Sequence, residues 1–552
     1  PDPGASATVT RPKGGCVSTI RRDALILLAI AVLAWVLWGI GVGRTDMYAS
    51  MEARRAVAAR AMLRTGDYVV PRIGTEVYLQ KPPLFPWLVA GLSAPFGDVS
   101  TATVRWAAGL GAALVTVLLA FGLRRFLDDR TALVAAAAFA LMPLVFSESV
   151  VGHVNTLLAF GVTIAMLAAF VVVERPGPAW GAAALCGLGL GIGLMAKGPV
   201  VFLYVVPPVV LYGVFRDGRP SRGRLLVLGA SAALMLLAQG LARWVGNGSA
   251  ILYALGFFAF AVFGWRGRPR HVGAWAVALA IGGLLCVPWL VALVGSIDVA
   301  AGGETAAGEM WSKRVTAIGS ANQKSVFFYL WNLPLLTLLA SVPAGLGCLP
   351  ASRATGDRER FLLFARCWLL GCLLFFTVIS AAKSERYMVP VAPAIAILGA
   401  DVVVRALRGE LAPGFAQRVL ARLPRSPRAL GVIAASVVVA SIVAKLVFTY
   451  GPPADRLQRK SPRPTAAAIR AAVPDGVTLH AWGKMRAAVQ FYVDAPPWDP
   501  HAAPPRAWVY TGADHAALVP PGIRRRYREV FRTTYRGREI VVLDMSQFSM
   551  PR

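Results

Sequence analysis

The chain has 552 residues, 57% of them apolar, and carries a formal net charge of +29. Its mean hydropathy of +0.60 and its recurring apolar runs of about 17–25 residues are typical of a protein that crosses the membrane many times. The basic residues are scattered between those runs and do not form one aromatic-rich surface, which argues against nucleic-acid binding. Membrane topology and attraction to anionic lipid head groups explain most of the charge.

The apolar runs are predicted to be helices, because in lipid every backbone polar group must be paired within its own segment. We expect a cytoplasmic tail at residues 1–22 and a membrane module at residues 23–449. Thirteen spans are predicted, near residues 24–43, 101–123, 131–147, 154–173, 177–196, 199–215, 225–242, 249–265, 272–295, 326–345, 361–380, 386–404 and 429–449.

The distribution of arginine orients these spans. Six arginine-rich connections alternate with less basic ones, and the positive-inside rule places the arginine-rich set in the cytoplasm. The N-terminus is then inside, and the odd number of spans puts residues 450–552 outside. The first loop, residues 44–100, is also outside, as are the connections near 147–155, Lys197, 296–325 and 381–387.

After Gly451 the composition changes to that of a soluble domain. Short strand patterns lie at 477–479, 508–510 and 539–543, and helical patterns at 465–472 and 487–492. Residues 450–552 are therefore predicted to form a small α/β domain outside the membrane, without an evident catalytic constellation of its own.

The longest polar interruption in the first half runs from Arg44 to Pro83. Within it, Glu52 stands beside two arginines, and a helical pattern ends at a Gly-Asp turn. Lys81 precedes two prolines, and Pro82 disfavours helical geometry for the lysine. The apolar face of the helical pattern consists of Ala56, Ala59, Met62 and Leu63. A carboxylate and several fixed cations in one extramembrane loop predict a site for an anionic substrate.

Two other outer connections are rich in charge. Lys197 stands directly before Gly198 and Pro199, which marks a tight turn at the membrane surface. Charge at this depth is functional by default, although a lysine that only anchors its helix at the interface is the alternative. The short connection at 380–387 carries Lys383 and Arg386.

Three motifs, each on the predicted outer side, occur in register: EARRAVAARAMLRTGDYVVPRIGTEVYLQKPPLFPWL, GLMAKGPVVFLYVVP and SAAKSERYMVPVAPAIAIL. Together they resemble bacterial lipid-carrier-dependent GT-C glycosyltransferases, which include protein O-mannosyltransferase-like enzymes and the aminoarabinose transferase that modifies lipid A. The resemblance covers roughly residues 24–405. It implies a GT-C type polytopic helical fold of about 13 transmembrane helices, with periplasmic juxtamembrane helices and a small periplasmic α/β domain at the C-terminal end.

The resemblance also implies a substrate class. The expected donor is a sugar carried on a polyprenyl phosphate, usually undecaprenyl phosphate, and transfer is expected on the periplasmic face of the bacterial inner membrane. The acceptor is lipid A or another cell-envelope glycan, lipid or protein.

The family's site residues carry over only in part. Its catalytic carboxylate is generally the Asp of an Asp-Glu pair, and here Met51 stands at the Asp position and Glu52 at the Glu position. Asn155 matches a second acidic position, and Gln80 replaces the Glu often found before Lys-Pro-Pro. The positions that match directly are Tyr78, Lys81, Lys197 and Arg54.

The expected chemistry assigns roles to these residues. The phosphate leaving group gains negative charge as the glycosidic bond breaks, so fixed cations aimed at it stabilise the transition state more than the ground state. The candidate phosphate-binding cations are Lys81, Lys197, Arg54, Arg55, Lys383 and Arg386. No carboxylate cluster that would hold a divalent metal is evident, and no cofactor is expected.

An acceptor hydroxyl is a poor nucleophile, so a carboxylate base is expected near it. Glu52 is the first candidate for this base and Asp46 the second. The alternative is that Glu52 forms an ion pair with Arg54 or Arg55 and only shapes the loop. Candidate substrate-binding side chains are Tyr78, Gln80, His153, Asn155 and Tyr387.

The sequence therefore predicts a metal-independent, inverting glycosyltransferase. An oligosaccharyltransferase would require an acidic metal-binding set and a Trp-Trp-Asp motif, which we do not find. A flippase or transporter of lipid-linked sugars is disfavoured by the odd span count, by the lack of visible paired repeats and by charge concentrated on one face. The substitutions at Met51 and Asn155 leave open a binding protein that has lost catalysis.

Overall fold

The computed structural model describes most of the chain. Apart from scattered single positions and short pieces between 432 and 451, the described ranges are 42–47, 49–74, 76–217, 221–245, 248–264, 269–296, 327–337, 340–348, 356–379, 383–410, 458–483, 486–498, 508–516 and 527–545.

Helices dominate the part of the chain before residue 411. They are α1 Ser50–Thr65, α2 Leu84–Ser93, α3 Thr101–Gly122, α4 Asp129–Leu141, α5 Pro143–Val150, α6 Asn155–Glu174, α7 Trp180–Lys197, α8 Val200–Phe215, α9 Arg222–Val245, α10 Gly248–Gly264, α11 Pro269–Ser296, α12 Phe328–Leu336, α13 Ser341–Gly347, α14 Asp357–Leu374 and α15 Ala392–Arg408. Short 3₁₀ segments lie at Ala94–Phe96, Leu123–Arg125 and Glu385–Val391, and a π-helical turn at Phe375–Ile379.

Six helical segments among the described residues are long and apolar enough to cross a membrane, and the number rises to eight if each of two bent pairs is one span. The chain is thus a multi-pass membrane protein, while the count of thirteen stays a prediction. The spans predicted at 24–43 and 429–449 lie largely outside the described residues.

The span predicted at 131–147 is broken. Helices α4 and α5 meet at a bend of 52°. Pro143 lacks an N–H donor, and Met142 before it takes an extended conformation (φ −64°, ψ 126°), as the steric demand of a following proline requires. Because of this bend, the last turn of α5, which includes Glu148, lies at the connection between α5 and α6.

Two antiparallel helices, α6 and α7, approach each other closely. A Cβ atom at Gly161 would lie 2.7 Å from the carbonyl oxygen of Gly189, and one at Gly189 would lie 2.5 Å from the carbonyl oxygen of Gly161. Small residues at such crossings let helix backbones touch, which is how helices associate in lipid. The start of α6, at Asn155, is thereby fixed beside the end of α7, at Lys197.

Helix α1 forms in the first loop as its pattern predicts. Ala56, Ala59 and Met62 are buried, and Gly66 ends the helix in the left-handed conformation that glycine adopts without strain (φ 72°). Beyond it, the two-residue strands β1 (Arg72–Ile73) and β2 (Glu76–Val77) pair antiparallel. Lys81 follows outside regular structure, before α2 begins.

The C-terminal part contains the predicted α/β structure. Its strands are β3 Leu479–Ala481, β4 Trp508–Gly512, β5 Arg528–Tyr535 and β6 Arg538–Asp544. They form one sheet in the order β3-β4-β6-β5, with β3 and β4 parallel and the other pairs antiparallel. Helices α16 (Arg463–Ala471), α17 (Ala487–Val493) and α18 (Ala513–Ala516) accompany it.

This sheet region packs against the first loop. Val489 and Phe491 of α17 share one apolar core with Ala56 of α1 and Val89 of α2. The Arg60 guanidinium lies over the Phe491 ring, 4.0 Å from its centroid. The outer helix α1 is consequently held between the sheet region and the membrane helices.

Candidate active site

A line of buried polar side chains joins the ends of three helices. Asn155 Nδ2, at the start of α6, donates to Glu148 Oε2 of α5 at 2.5 Å. Lys197 Nζ, at the end of α7, donates to Asn155 Oδ1 at 2.5 Å. All three residues are more than nine-tenths buried. The asparagine amide thus connects a carboxylate to an ammonium group.

The carboxylate of Glu148 has a further partner. His153 Nδ1 lies 2.9 Å from Glu148 Oε2, the oxygen that also receives the Asn155 hydrogen bond. The other oxygen, Oε1, accepts no hydrogen bond from the residues that the structure describes. This arrangement leaves one carboxylate oxygen available to a hydroxyl group.

The turn between α5 and α6 depends on Gly152. Its φ of 63° is left-handed, and a Cβ atom there would lie 2.8 Å from Val104 Cγ1 and 3.2 Å from Glu52 Oε1. Its carbonyl oxygen accepts a hydrogen bond from Arg55 Nη1 at 3.3 Å. Only glycine meets both the conformational and the steric demand of this position.

Adjacent arginines on α1 reach two different segments. Arg55 binds the Gly152 turn, whereas Arg54 Nη1 donates to Gln80 Oε1 at 2.8 Å, next to Lys81 in sequence. Helix α1 therefore connects the Lys-Pro-Pro segment with the polar line.

The segment around Tyr387 closes another side. Lys197 Nζ lies 5.3 Å from the centroid of the Tyr387 ring, within range of a cation–π contact. The backbone there is fixed by tyrosine hydroxyls, since Tyr204 donates to the carbonyl oxygen of Tyr387 at 3.0 Å. Arg386 is near enough to interact electrostatically with both Arg55 and Glu148.

Lys383 begins this segment and is 8% exposed. Among the described residues its ammonium group has no hydrogen-bond or ion-pair partner. Burial lowers the pKa of Lys383 below its ordinary value of 10.5. A buried, unpartnered cation is costly unless an anion accompanies it, so Lys383 fits a phosphate ligand.

The structure gives Glu52 a partner other than the expected one. The sequence suggested an ion pair with Arg54 or Arg55, but Glu52 Oε1 accepts from Arg105 Nε of α3 at 2.7 Å. Arg105 also donates to the carbonyl oxygens of Val42 and Thr45. Glu52 is 0% exposed, and burial raises its pKa although Arg105 opposes this. Glu52 is thus enclosed and paired, and its role as the base stays a prediction.

Asp46, the second candidate base, faces the C-terminal part of the chain. Its carboxylate accepts from Gln458 Nε2 at 2.7 Å, from Ser461 Oγ at 2.7 Å and from Arg463 Nε at 2.6 Å. Tyr492 Oη donates to it at 3.2 Å. With both oxygens bound in this way, Asp46 ties the first loop to the sheet region.

Of the predicted substrate-binding residues, Asn155 and Tyr387 contact Lys197, and His153 lies beside Glu148. Gln80 binds Arg54, and the buried Tyr78 interacts electrostatically with Arg55. Glu148, which the sequence reasoning passed over, is at the centre of this group. Glu148 could have been found in the sequence as a lone carboxylate at the end of an apolar run. Arg105 could have been found as a charged residue within a predicted span.

The chain is similar to several known proteins. Residues 80–244 match the family model of the dolichyl-phosphate-mannose-protein mannosyltransferases. The undecaprenyl phosphate-alpha-4-amino-4-deoxy-L-arabinose arabinosyl transferase of Pseudomonas aeruginosa (strain LESB58) is 26% identical over 407 residues, 70% of this chain and 61% of the relative. The enzyme of the same name from Serratia proteamaculans (strain 568) is 26% identical over 377 residues, 65% of this chain and 56% of the relative.

The fold itself is matched over almost the whole chain. The crystal structure of ArnT from Cupriavidus metallidurans bound to undecaprenyl phosphate superposes with a TM-score of 0.60 at 18% identity, covering 96% of this chain and 99% of that one. The chain is similar to GT-C, aminoarabinose transferase-like enzymes. Its fold is the GT-C polytopic membrane fold that the sequence motifs imply.

Two differences from these relatives and from the expected pattern are informative. This chain spans 61% of the length of the Pseudomonas relative, and it has Met51 and Asn155 where acidic residues are expected in the family. At the second of these positions, Asn155 donates a hydrogen bond to the Glu148 carboxylate, so a carboxylate still lies beside this position.

Proposed function

We propose that this protein is a membrane glycosyltransferase that moves a sugar from a polyprenyl phosphate, of the undecaprenyl type, to a cell-envelope acceptor such as lipid A. The observation that carries the proposal is the buried line from Glu148 through Asn155 to Lys197, in which a carboxylate and an ammonium group lie close together. The names of the arabinosyl transferase relatives support a 4-amino-4-deoxy-L-arabinose donor.

In the proposed reaction, the oxygen of an acceptor hydroxyl attacks the anomeric carbon of the donor sugar. The bond between that carbon and the phosphate oxygen breaks, and its electron pair leaves with the polyprenyl phosphate. The hydroxyl proton passes to Glu148 Oε1, while His153 holds the other oxygen. Attack opposite to the leaving group inverts the anomeric configuration.

Cations of the chain stabilise the departing phosphate. Lys197 is oriented by Asn155 and the Tyr387 ring, and the buried Lys383 lies on the same segment as Tyr387. Lys81 and Arg386 complete the proposed set. Because the charge on the phosphate grows in the transition state, such fixed donors lower the barrier without a metal ion.

We infer that the site lies on the periplasmic side of the bacterial inner membrane. The support is the arginine distribution, which puts Arg124 and Arg125 inside and Tyr450 outside. A reporter that is active only outside the cytoplasm should be active when fused after Tyr450 and silent when fused after Arg125. The opposite result would contradict this orientation.

The function is tested with purified protein, undecaprenyl phosphate-linked aminoarabinose and lipid A. Mass spectrometry should detect both free undecaprenyl phosphate and lipid A that has gained the sugar. A protein that binds the donor but releases no undecaprenyl phosphate with lipid A or with a total envelope extract would instead be a lipid-linked-sugar binding protein. The substitutions at Met51 and Asn155 are the observation that favours this second candidate.

A further inference from the structure

Four arginines lie together where the first loop meets the sheet region. They are Arg54 of α1, Arg486 before α17, Arg536 in the β5–β6 turn and Arg538 at the start of β6. Arg486 interacts electrostatically with the other three, and its Nη2 donates to the carbonyl oxygen of Arg536 at 3.4 Å. We call these four residues the arginine cluster.

Among the residues that the structure describes, the cluster has no neutralising carboxylate. None of its four members forms an ion pair with an acidic side chain of the described residues. Other arginines near this boundary are paired, as Arg60 is with Asp98 and Arg64 with Asp494. The half-buried Arg486 also has a buried Nε atom without a hydrogen-bond partner. Like charges gathered without a counter-ion fit a site whose anion comes from a ligand.

The hairpin turn is built so that it adds to the cluster. Arg536 and Gly537 are the two turn residues between β5 and β6, both with positive φ (50° and 72°). Such turns favour Asn-Gly, and a long cationic side chain at the first turn position is unusual. A positive φ is strained for arginine, and such strain is retained where the side chain has a function. We take that function to be the position of the Arg536 guanidinium group in the cluster.

The cluster continues towards the proposed donor site. Arg54 binds Gln80, which directly precedes Lys81. An anion bound between Arg54 and Arg486 therefore lies beside the segment that is proposed to hold the donor phosphate. Arg486 is half-buried, whereas Arg536 and Arg538 are exposed, so the cluster leads from the surface towards that segment.

We propose that the arginine cluster is the docking site for the phosphorylated head group of a glycolipid acceptor. The inference rests on the proposed function and goes further, because it places acceptor recognition on the sheet region, at the arginine cluster. Phosphate suits the cluster since guanidinium groups bind it with paired hydrogen bonds.

The test measures binding apart from turnover, with full-length protein in nanodiscs of neutral phosphatidylcholine. The probes are bisphosphorylated lipid A and the same lipid after enzymatic dephosphorylation. Arg538→Gln, at an exposed strand position, and the double variant Arg486→Gln/Arg538→Gln should lose affinity for phosphorylated lipid A, the double variant by about tenfold or more. Arg528→Gln, at the far end of the same hairpin, is the matched control and should bind like the unmodified protein.

The outcomes separate this inference from the proposed function. Equal affinity for the two probes, or unchanged affinity in the double variant, overturns the docking site even if the protein transfers sugar. An equal loss of binding to anionic phosphatidylglycerol nanodiscs also overturns it, because the arginines then contact the bilayer. Selective loss for phosphorylated lipid A with donor affinity within about twofold supports it. Failure of the unmodified protein to release undecaprenyl phosphate counts against the transfer reaction alone.

Discussion

Asn155 Nδ2 donates a hydrogen bond of 2.5 Å to Glu148 Oε2 across the turn at Gly152. The two residues are seven positions apart and lie on different helices. The bend before Pro143 directs α5, which carries Glu148, towards the connection with α6. Asn155 occupies a position where the family is expected to carry an acid. The carboxylate next to it comes instead from α5. This pairing of Asn155 with Glu148 leads to the predictions for Glu148→Gln and Asn155→Asp.

Glu148→Gln should lower the turnover number by about 10²–10⁴-fold, the usual contribution of a general base. The glutamine keeps the size of the side chain but does not accept the proton. Donor affinity should remain within a few-fold, because the lysines and Arg386 are retained. Steady-state transfer assays and donor-lipid binding on the same preparation check this, and an active Glu148→Gln protein would contradict the assignment.

Glu52→Gln should act on stability more than on chemistry. The change leaves the Arg105 guanidinium buried without its anionic partner, and breaking such a pair typically costs about 3–5 kcal/mol. Thermal unfolding in detergent should show a lower midpoint. A Glu52→Gln protein with unchanged stability and no transfer would return the role of base to Glu52.

Asn155→Asp should also reduce transfer, because it removes the amide donor to Glu148 and sets two carboxylates against each other. The double variant Glu148→Gln/Asn155→Asp exchanges the two groups and restores one donor and one carboxylate. It should recover thermal stability relative to Asn155→Asp. If the single variant is as stable and active as the unmodified protein, the two side chains are not coupled.

Lys383 supplies a prediction about pH. Since burial lowers its pKa below 10.5, its charge is lost at a lower pH than that of an ordinary lysine. Donor affinity measured between about pH 7 and pH 10 should therefore fall at the alkaline end. Lys383→Arg should keep the affinity over this range, whereas Lys383→Met should weaken binding throughout. Identical profiles in all three proteins would remove Lys383 from the phosphate site.

Asp46 should control the docking of the sheet region. Burial raises its pKa, but hydrogen bonds from Ser461, Gln458 and Arg463 outweigh this effect and leave it below the ordinary 3.8. The contacts therefore stabilise docking above that pH and lose this contribution as the pH falls through the lower, folded-state pKa. Asp46→Asn should increase hydrogen exchange in α16 at neutral pH.

The exposed Asp475→Asn is the matched control for this experiment and should leave exchange unchanged. Equal protection of α16 in the Asp46→Asn protein and in the unmodified protein would show that the apolar core between α1 and α17 holds the sheet region by itself.

Several features of this protein follow from its sequence alone. Long apolar runs require membrane helices, because lipid offers no partners to backbone groups. The helix α1 and its end at Gly66 follow from apolar periodicity and from the freedom of glycine. The three motifs were sufficient to indicate a resemblance to the family, and two of them contain the candidate site residues Lys197 and Tyr387.

Tertiary structure decided which partner each carboxylate has. Glu52 is paired with Arg105, 53 positions away, and Asp46 with Arg463, 417 positions away. No local pattern encodes such pairings, because they depend on how helices cross and on which face each side chain leaves. Glu148 gained its place only when Pro143 bent its helix and glycine contacts fixed Asn155 beside Lys197. Spacing along the chain shows which groups are available, and packing determines which of them meet.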